Sequence, residues 1–161
     1  MNYSSIRQLD IANGPGCRVS IFISGCEHRC KNCFNPETWN FNYGKAFTDQ
    51  TVEALLELLK PEHISGLSIL GGEPLHPHNR EGVLDLVRKV KSVYPAKSIW
   101  IWTGYLWEDL AEDLVGSGVD VIVDGQFIEE LKDLRLKYRG SSNQRVINVN
   151  SSTLLKPSLL I

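Results

Sequence analysis

Short apolar runs alternate with longer amphipathic segments along most of this chain. Five runs rich in β-branched, aromatic and other apolar residues predict buried β-strands. They cover residues 18–24, 65–70, 98–102, 119–123 and 145–149. Three segments between these runs carry apolar residues at helical spacing, and they predict α-helices over residues 48–60, 80–93 and 107–115.

The rhythm of strands and helices predicts the fold class. Thr48 is a favourable N-cap for the first helix, which Pro61 stops after Lys60, and the second helix ends before Pro95. Strands followed by helices in this order form parallel strands with right-handed crossovers, and hence an α/β sheet. Five strands are too few for a closed eight-stranded barrel, which usually needs about 250 residues. We therefore expect a partial (β/α) barrel with about five mostly parallel strands.

Length and charge narrow the classes of function. A chain of 161 residues without repeats or linkers suits one domain, residues 1–161. A net charge of -2 with acids and bases interspersed gives no reason to expect nucleic-acid binding. The N-terminus lacks a signal-peptide pattern, and no stretch approaches the roughly 20 apolar residues of a membrane helix. We expect a cytoplasmic protein whose thiols stay reduced and available to metal.

Three of the four cysteines form the motif Cys26-x-x-x-Cys30-x-x-Cys33. Structural zinc sites and ferredoxin-type clusters use four protein ligands, so the triplet predicts a 4Fe-4S cluster with one iron open to an exogenous molecule. A zinc site completed by His28 and a redox-active or incidental group of thiols are the alternatives. Cys17 is the other possible fourth ligand. The first predicted strand separates it from the triplet by roughly 20 Å, so we expect Cys17 in the core or a turn.

Polar or glycine-rich turns follow four of the predicted strands. The first strand leads into the Cys26 loop, and the others lead into Gly71-Gly72-Glu73-Pro74, Thr103-Gly104-Tyr105 and Asp124-Gly125-Gln126. Each turn alone is typical of an ordinary connection. Because ligands of parallel α/β sheets bind at the carboxyl ends of the strands, the four turns together predict a site on one rim.

These motifs resemble those of radical S-adenosylmethionine (SAM) enzymes, which combine the cysteine triplet after the first strand with Gly-Gly-Glu-Pro after the second. Further stretches resemble a narrower family, the activating proteins of anaerobic ribonucleoside-triphosphate reductase. They are NGPGCR at 13–18, CFNPETW at 33–39, WIWTGY at 100–105 and RGSSNQR at 139–145. The resemblance extends from near residue 10 to near residue 147, almost the whole chain.

The resemblance implies an enzyme with two cofactors, one 4Fe-4S cluster per chain held by Cys26, Cys30 and Cys33, and SAM bound at the open iron. In this family the reduced cluster cleaves SAM, and the resulting 5'-deoxyadenosyl radical removes hydrogen from a glycine of the reductase. The expected partners are therefore the large subunit of anaerobic ribonucleoside-triphosphate reductase and a low-potential electron donor such as a flavodoxin. No further catalytic residue is predicted.

Contacts to SAM follow from the same resemblance. Gly71 and Gly72 are expected to let backbone approach SAM closely. Glu73 and nearby backbone carbonyls are expected to accept hydrogen bonds from the SAM ammonium group, although an acid at this place also suits a helix N-terminus. Thr103 and Asp124 are expected to contact the SAM carboxylate or ribose hydroxyls.

Two positions depart from the family patterns. Asn32, Cys33 and Phe34 are expected beside adenine, but radical SAM enzymes commonly place an aromatic residue just before the third cysteine, where Asn32 stands here. Longer glycyl-radical activators carry a lysine two residues after the acid that corresponds to Asp124, and here that residue is Gln126, which offers no charge.

Three other functions remain open on the sequence alone. A small iron-sulfur electron carrier would need no SAM cavity, and a zinc-binding interaction module would hold zinc and be colourless. A radical SAM enzyme could also act on a small metabolite, as a deazapurine-forming synthase does. A chain this short leaves little protein to close over a small substrate, so size and analogy favour a site open to a protein loop.

Overall fold

A computed structural model describes residues 1–161 and contains an eight-stranded sheet flanked by three helices. The strands are β1 (Asn2–Asp10), β2 (Cys17–Ile23), β3 (Lys45–Ala46), β4 (Ile64–Gly71), β5 (Ser98–Trp102), β6 (Val121–Asp124), β7 (Arg145–Thr153) and β8 (Lys156–Leu159). The helices are α1 (Asp49–Leu59), α2 (Pro77–Val93) and α3 (Trp107–Leu114). None of these helices is long and apolar enough to cross a membrane.

The sheet has four parallel strands at its centre and antiparallel strands on both sides. Its order is β3-β1-β2-β4-β5-β6-β7-β8, and β2, β4, β5 and β6 are parallel. All five predicted strands are present, and the mixed α/β fold is confirmed. The strand count was wrong, because β1, β3 and β8 were not predicted. The last predicted strand, β7, pairs antiparallel with β6, because the connection between them contains only a short 3-10 helix (Glu129–Leu131) and no α-helix that would carry the chain back to begin a parallel strand.

The three helices form where apolar spacing predicted them. In the first turn of α1, Thr51 Oγ1 accepts a hydrogen bond from Thr48 N at 3.2 Å, which confirms Thr48 as the capping residue. Helix α2 begins three residues earlier than expected, with Pro77 in its first turn, where a proline needs no hydrogen-bond acceptor. Its N-cap, His76, accepts a hydrogen bond from His78 N through its side chain, so both histidines serve the helix start.

The main core lies between the helices and one face of the sheet, with α1, α2 and α3 contributing buried Leu and Val side chains. The other face carries a smaller cluster built on Trp100, Val121, Val123 and Val146. Residues 125–144, which we call the β6–β7 connection, cover part of this second face through Tyr138. Burial on both faces explains why the central strands read as nearly continuous apolar runs.

Candidate functional site

One cavity of about 580 Å³ lies at the carboxyl ends of the parallel strands. All four predicted turns reach it. Its lining includes the three cysteines of the motif, the turn after β4, the turn after β5 and the glycine after β6. The predicted site residues on its wall are Cys26, Cys30, Cys33, Phe34, Gly71, Gly72, Glu73 and Thr103. Asn32 and Asp124 are not among the lining residues.

The cysteine motif lies in a loop that hydrogen bonds hold at both ends. We call residues 24–39 the cluster loop. Gly25 N donates to Thr38 O at 2.7 Å and Cys26 N donates to Trp39 O at 3.1 Å, so the two ends of the loop pair with each other. Asn79 Nδ2, from helix α2, donates to Ser24 O at 3.0 Å. The loop is therefore anchored to the sheet end and to α2 before any metal contributes.

The side chains of Cys26, Cys30 and Cys33 line the same cavity. In a 4Fe-4S cluster each cysteine binds a different iron, so three thiols spread around one cavity suit that donor set. Burial raises the pKa of the Cys26 thiol to about 11 and so disfavours the thiolate, the form that binds iron. Iron binding would offset this cost.

His28, the fourth ligand of the zinc alternative, is already engaged with Glu73. Its Nε2 lies 2.7 Å from Glu73 Oε2, and its ring packs edge-on against Tyr105 with ring centroids 4.9 Å apart. A histidine held this way by a buried carboxylate joins the cluster loop to the turn after β4. The geometry therefore gives His28 a positioning role.

Glu73 is the centre of a buried hydrogen-bond network. The side chain is 1% exposed, and besides His28 it accepts hydrogen bonds from Thr103 Oγ1 at 2.7 Å, Gly104 N at 2.7 Å and Leu75 N at 2.9 Å. Two of these donors belong to the turn after β5, so the carboxylate holds three parts of the cavity wall together. Its four acceptor sites are filled from within the protein, and the contact with the SAM ammonium expected from sequence stays a prediction.

The two glycines before Glu73 are required by close approaches within the protein. Gly71 has φ of 115°, and a Cβ there would lie 2.6 Å from Ile23 O on the neighbouring strand. A Cβ on Gly72 would lie 2.7 Å from Gly25 O and 2.9 Å from Thr38 O, both in the cluster loop. Gly71 therefore lets the end of β4 lie close to β2, and Gly72 lets the turn after β4 lie directly against the cluster loop.

Asp124 lies buried at the end of β6 among polar partners from α3 and β7, and its contact with SAM stays a prediction. It is 0% exposed, accepts a hydrogen bond from Trp107 N at 2.8 Å in the first turn of α3, and receives Arg145 Nε at 3.0 Å. Arg145 also contacts Glu108 at 2.8 Å and thereby connects β6, β7 and α3. These carboxylates raise the pKa of Arg145, mainly through the hydrogen bonds with Asp124. The motif at 139–145 gains here a structural role that sequence could not assign.

Asn32 and Gln126 likewise stabilise the conformation of loops near the cavity. Asn32 is exposed with φ of 56°, a left-handed turn conformation that asparagine adopts more readily than most residues. Gln126 Nε2 donates to His28 O at 3.1 Å and so joins the β6–β7 connection to the cluster loop. Phe34, in contrast, lies at the cavity mouth, 73% exposed, with its ring centroid 6.3 Å from that of Phe127.

The β6–β7 connection supplies the part of the cavity that sequence reasoning missed. Phe127, Leu134, Leu136, Tyr138 and Arg139 all line the cavity. Trp102 Nε1 donates to Tyr138 O at 2.7 Å and fixes this segment on the sheet. Its irregular spacing of apolar residues matches neither a helix nor a strand. A long loop after a strand that ends at the site is the signal that could have indicated it.

Comparison with known proteins identifies the family of this chain. The protein family described as a 4Fe-4S single cluster domain matches residues 12–147. An anaerobic ribonucleoside-triphosphate reductase-activating protein of Enterobacteria phage T4 is 47% identical over 146 residues, covering 91% of this chain and 93% of the relative. The protein of the same name from Escherichia coli strain K12 is 43% identical over 150 residues, covering 91% and 97%.

A third relative, from Vibrio cholerae, bears the same name and is 43% identical over 148 residues, covering 89% of this chain and 96% of its own length. The family match at 12–147 spans the cysteine triplet and the β6–β7 connection. The chain therefore belongs to the family of anaerobic ribonucleoside-triphosphate reductase-activating proteins, with a single 4Fe-4S cluster domain.

Proposed function

We propose that this protein cleaves SAM reductively and generates a glycyl radical on anaerobic ribonucleoside-triphosphate reductase, the enzyme that its relatives are named for activating. The observation that carries the proposal is the convergence of three thiols, the Gly-Gly-Glu turn and the Thr-Gly turn on one cavity. An iron-sulfur electron carrier needs no such cavity. When bound, the cluster supplies the electron that breaks a carbon-sulfur bond of SAM.

The side chains of this protein hold and orient the reactants. Cys26, Cys30 and Cys33 would hold three irons of the cluster and leave the fourth iron open to SAM. Backbone groups of residues 71–73 would contact SAM, while the Glu73 carboxylate fixes that turn through its bonds to His28 and Thr103. Phe34 lies at the mouth, where its ring can cover adenine. Orienting a reactive cofactor and excluding water are the usual tasks of the protein in such chemistry.

The remaining residues act indirectly in this proposal. Asn32 shapes the turn between two cysteines, and Asp124 fixes the start of α3 beside the cavity.

We further propose that residues 1–161 form one radical SAM domain whose central strands correspond to a partial (β/α) barrel. Four parallel strands with helices α1, α2 and α3 in their connections support that description.

The partner is proposed to be the large subunit of the reductase, with a low-potential donor such as a flavodoxin supplying electrons. An apolar rim formed by Phe34, Phe127, Leu134, Leu136 and Tyr138 lines the cavity and opens to solvent. Because radical transfer needs the reacting atoms within roughly 3–3.5 Å, the partner's glycine-bearing segment must enter here. The rim therefore offers that segment its first contact.

A cytoplasmic location, expected from sequence, stays a prediction.

Substitution of Leu134 tests whether the partner binds at the apolar rim. Its side chain is 86% exposed, so Leu134→Ser costs little folding stability but removes apolar contact area from the partner. We expect the reductase concentration that gives half-maximal activation to rise about tenfold, with SAM cleavage in the absence of reductase unchanged. Leu155→Ser is the matched control, since Leu155 is 96% exposed in the turn between β7 and β8. Equal effects of the two substitutions would contradict docking at the rim.

A direct assay tests the proposed chemistry. The protein is reconstituted anaerobically with iron and sulfide, reduced in the presence of SAM, and analysed by chromatography. We expect a brown protein with about four irons per chain that releases 5'-deoxyadenosine and methionine. A colourless zinc protein, or a brown protein that does not bind SAM, would contradict the proposal and favour the binding module or the electron carrier.

A further inference from the structure

The apolar rim of the cavity has two sides, which belong to separate segments of the chain. Phe34 lies in the cluster loop, whereas Phe127, Leu134, Leu136 and Tyr138 lie in the β6–β7 connection. Backbone hydrogen bonds hold each segment internally, but no backbone hydrogen bond joins one segment to the other. The position of one side relative to the other therefore depends on contacts that side chains make.

Each side of the rim has its own anchor on the rest of the fold. Asn79 Nδ2, from α2, donates to Ser24 O at 3.0 Å and holds the start of the cluster loop. Trp102 Nε1, from β5, donates to Tyr138 O at 2.7 Å and holds the β6–β7 connection on the sheet. A movement that separates the two sides does not have to break either of these bonds.

Exposed contacts cross the gap between the two sides. Lys31 Nζ, in the cluster loop, lies 2.8 Å from Glu130 Oε1, in the β6–β7 connection, and the two side chains are 69% and 64% exposed. Gln126, which is also exposed, donates from Nε2 to His28 O at 3.1 Å. Exposed ion pairs contribute little free energy, and water replaces the lost contacts when they open. The two sides can therefore separate while each segment stays folded.

Two ligands of the cavity need opposite positions of the rim. SAM has to be retained and shielded from water, which favours a closed rim. The glycine-bearing segment of the reductase has to bring its reacting carbon within roughly 3–3.5 Å of the adenosyl carbon, so it must pass between the two sides. A contact that favours closure and still breaks easily meets both needs.

We propose that the Lys31–Glu130 ion pair is a latch, which holds the two sides of the rim together while SAM is bound and opens when the glycine-bearing segment of the reductase enters. The proposal rests on the proposed function, since it takes SAM and that segment as the two ligands. A ligand that binds only the open form has its apparent affinity reduced by the fraction of open protein. A ligand that favours the closed form loses affinity when that fraction rises. Breaking the latch therefore shifts the two affinities in opposite directions.

Charge reversal at Lys31 tests the latch. In Lys31→Glu two carboxylates face each other, which favours the open rim. With anaerobically reconstituted protein, we expect the Kd for SAM to rise about threefold and the reductase concentration for half-maximal activation, at saturating SAM, to fall about threefold. The swapped variant, Lys31→Glu with Glu130→Lys, restores a pair of opposite charges and should return both values to those of the wild type.

Two single variants complete the design. Lys89→Glu reverses the charge of another exposed lysine, which pairs with Asp85 at 3.2 Å on α2, and neither residue lines the cavity. We expect it to leave both values unchanged. Glu130→Gln breaks the latch from the side that carries no cysteine, and should shift both values about twofold in the same directions as Lys31→Glu. Glu130→Gln decides the question if Lys31→Glu does not take up the cluster.

The latch requires the two affinities to shift in opposite directions. Weakening of both would indicate damage to the cavity, and an unchanged value of either would show that the ion pair does not control the rim. A swapped variant that still differs from the wild type as Lys31→Glu does would also contradict the latch. In each of these cases the wild-type protein binds SAM and activates the reductase, so the proposed function stands. A wild-type protein that does neither would contradict the proposed function, and the latch with it.

Discussion

Replacing Cys26, Cys30 or Cys33 by Ala is expected to abolish SAM cleavage, whereas Cys17→Ala retains most of it. In the proposed ligand set each cysteine of the triplet would hold one iron, so each substitution would leave two thiolates for a cluster that has no fourth protein ligand. The three thiols line the same cavity at the carboxyl ends of the parallel strands. The measurements are iron and sulfide per chain, visible absorption, and 5'-deoxyadenosine released after reduction.

Cys17 is the internal control for that series. It begins β2, pairs in register with Ile64 at the start of β4, and packs against the main core. The cluster loop leaves the other end of the same strand. Cys17→Ala therefore shortens a partly buried side chain and is expected to cost only modest folding stability. Loss of the cluster in Cys17→Ala, with retention in a triplet variant, would show that the ligand assignment is wrong.

Gly72→Ala is expected to have the next largest effect, a fall in SAM cleavage of about a hundredfold. The added Cβ would lie 2.7 Å from Gly25 O and 2.9 Å from Thr38 O, which are backbone atoms that cannot move without shifting the cluster loop. The loop positions the cysteines, so we expect lower cluster content together with weaker SAM binding. Iron content and SAM affinity of the reconstituted variant measure the two effects separately.

Gly82→Ala provides the matched control for Gly72→Ala. Gly82 lies in α2, and a Cβ there would meet the flexible side chain of Met1 at 3.2 Å, so a small movement of that side chain accommodates it. Alanine is also the better helix former, which favours the folded state. We expect wild-type cluster content and SAM cleavage. A Gly72→Ala protein that behaved like Gly82→Ala would mean that the turn after β4 tolerates displacement.

The central part of the fold could be predicted because its strands are buried on both faces. Continuous apolar runs such as Ser98–Trp102 predict buried strands. Thr48, as an N-cap, and Pro61, as a residue that stops a helix, indicate where α1 begins and ends. Strand β1 was missed because its sequence, NYSSIRQLD, is mostly polar and most of its residues are at least partly exposed. Its pairing with β2 is specified by tertiary contacts rather than by a local pattern.

The site was predicted in location but not in its internal bonding. Strand ends and a cysteine spacing are properties of the sequence, so the convergence of four turns could be anticipated. Which carboxylate faces the cavity depends on partners far away along the chain. Glu73 meets His28, 45 residues away, and Asp124 meets Arg145, 21 residues away. Neither pair leaves a periodic signal in the sequence, so these contacts within the protein could not be predicted.

The structure of the β6–β7 connection also could not be predicted from the sequence. Its role depends on Trp102 holding Tyr138 and on Gln144 holding the turn after Arg139. A motif shared with a family could draw attention to residues 139–145 without saying what they do. Only their placement on the cavity wall distinguishes Arg139, with its unpaired Nε, from Arg145, whose charge is neutralised by buried and exposed carboxylates.

The most direct measurement follows hydrogen from the reductase glycine into the nucleoside. The protein is mixed anaerobically with SAM, a low-potential reductant and reductase whose glycine residues carry deuterium at the α-carbon. We predict that electron paramagnetic resonance shows a glycyl doublet with unlabelled reductase, that the doublet collapses with the deuterated protein, and that deuterium appears in 5'-deoxyadenosine. Release of unlabelled nucleoside without a glycyl signal would contradict the account and point to a small-molecule substrate.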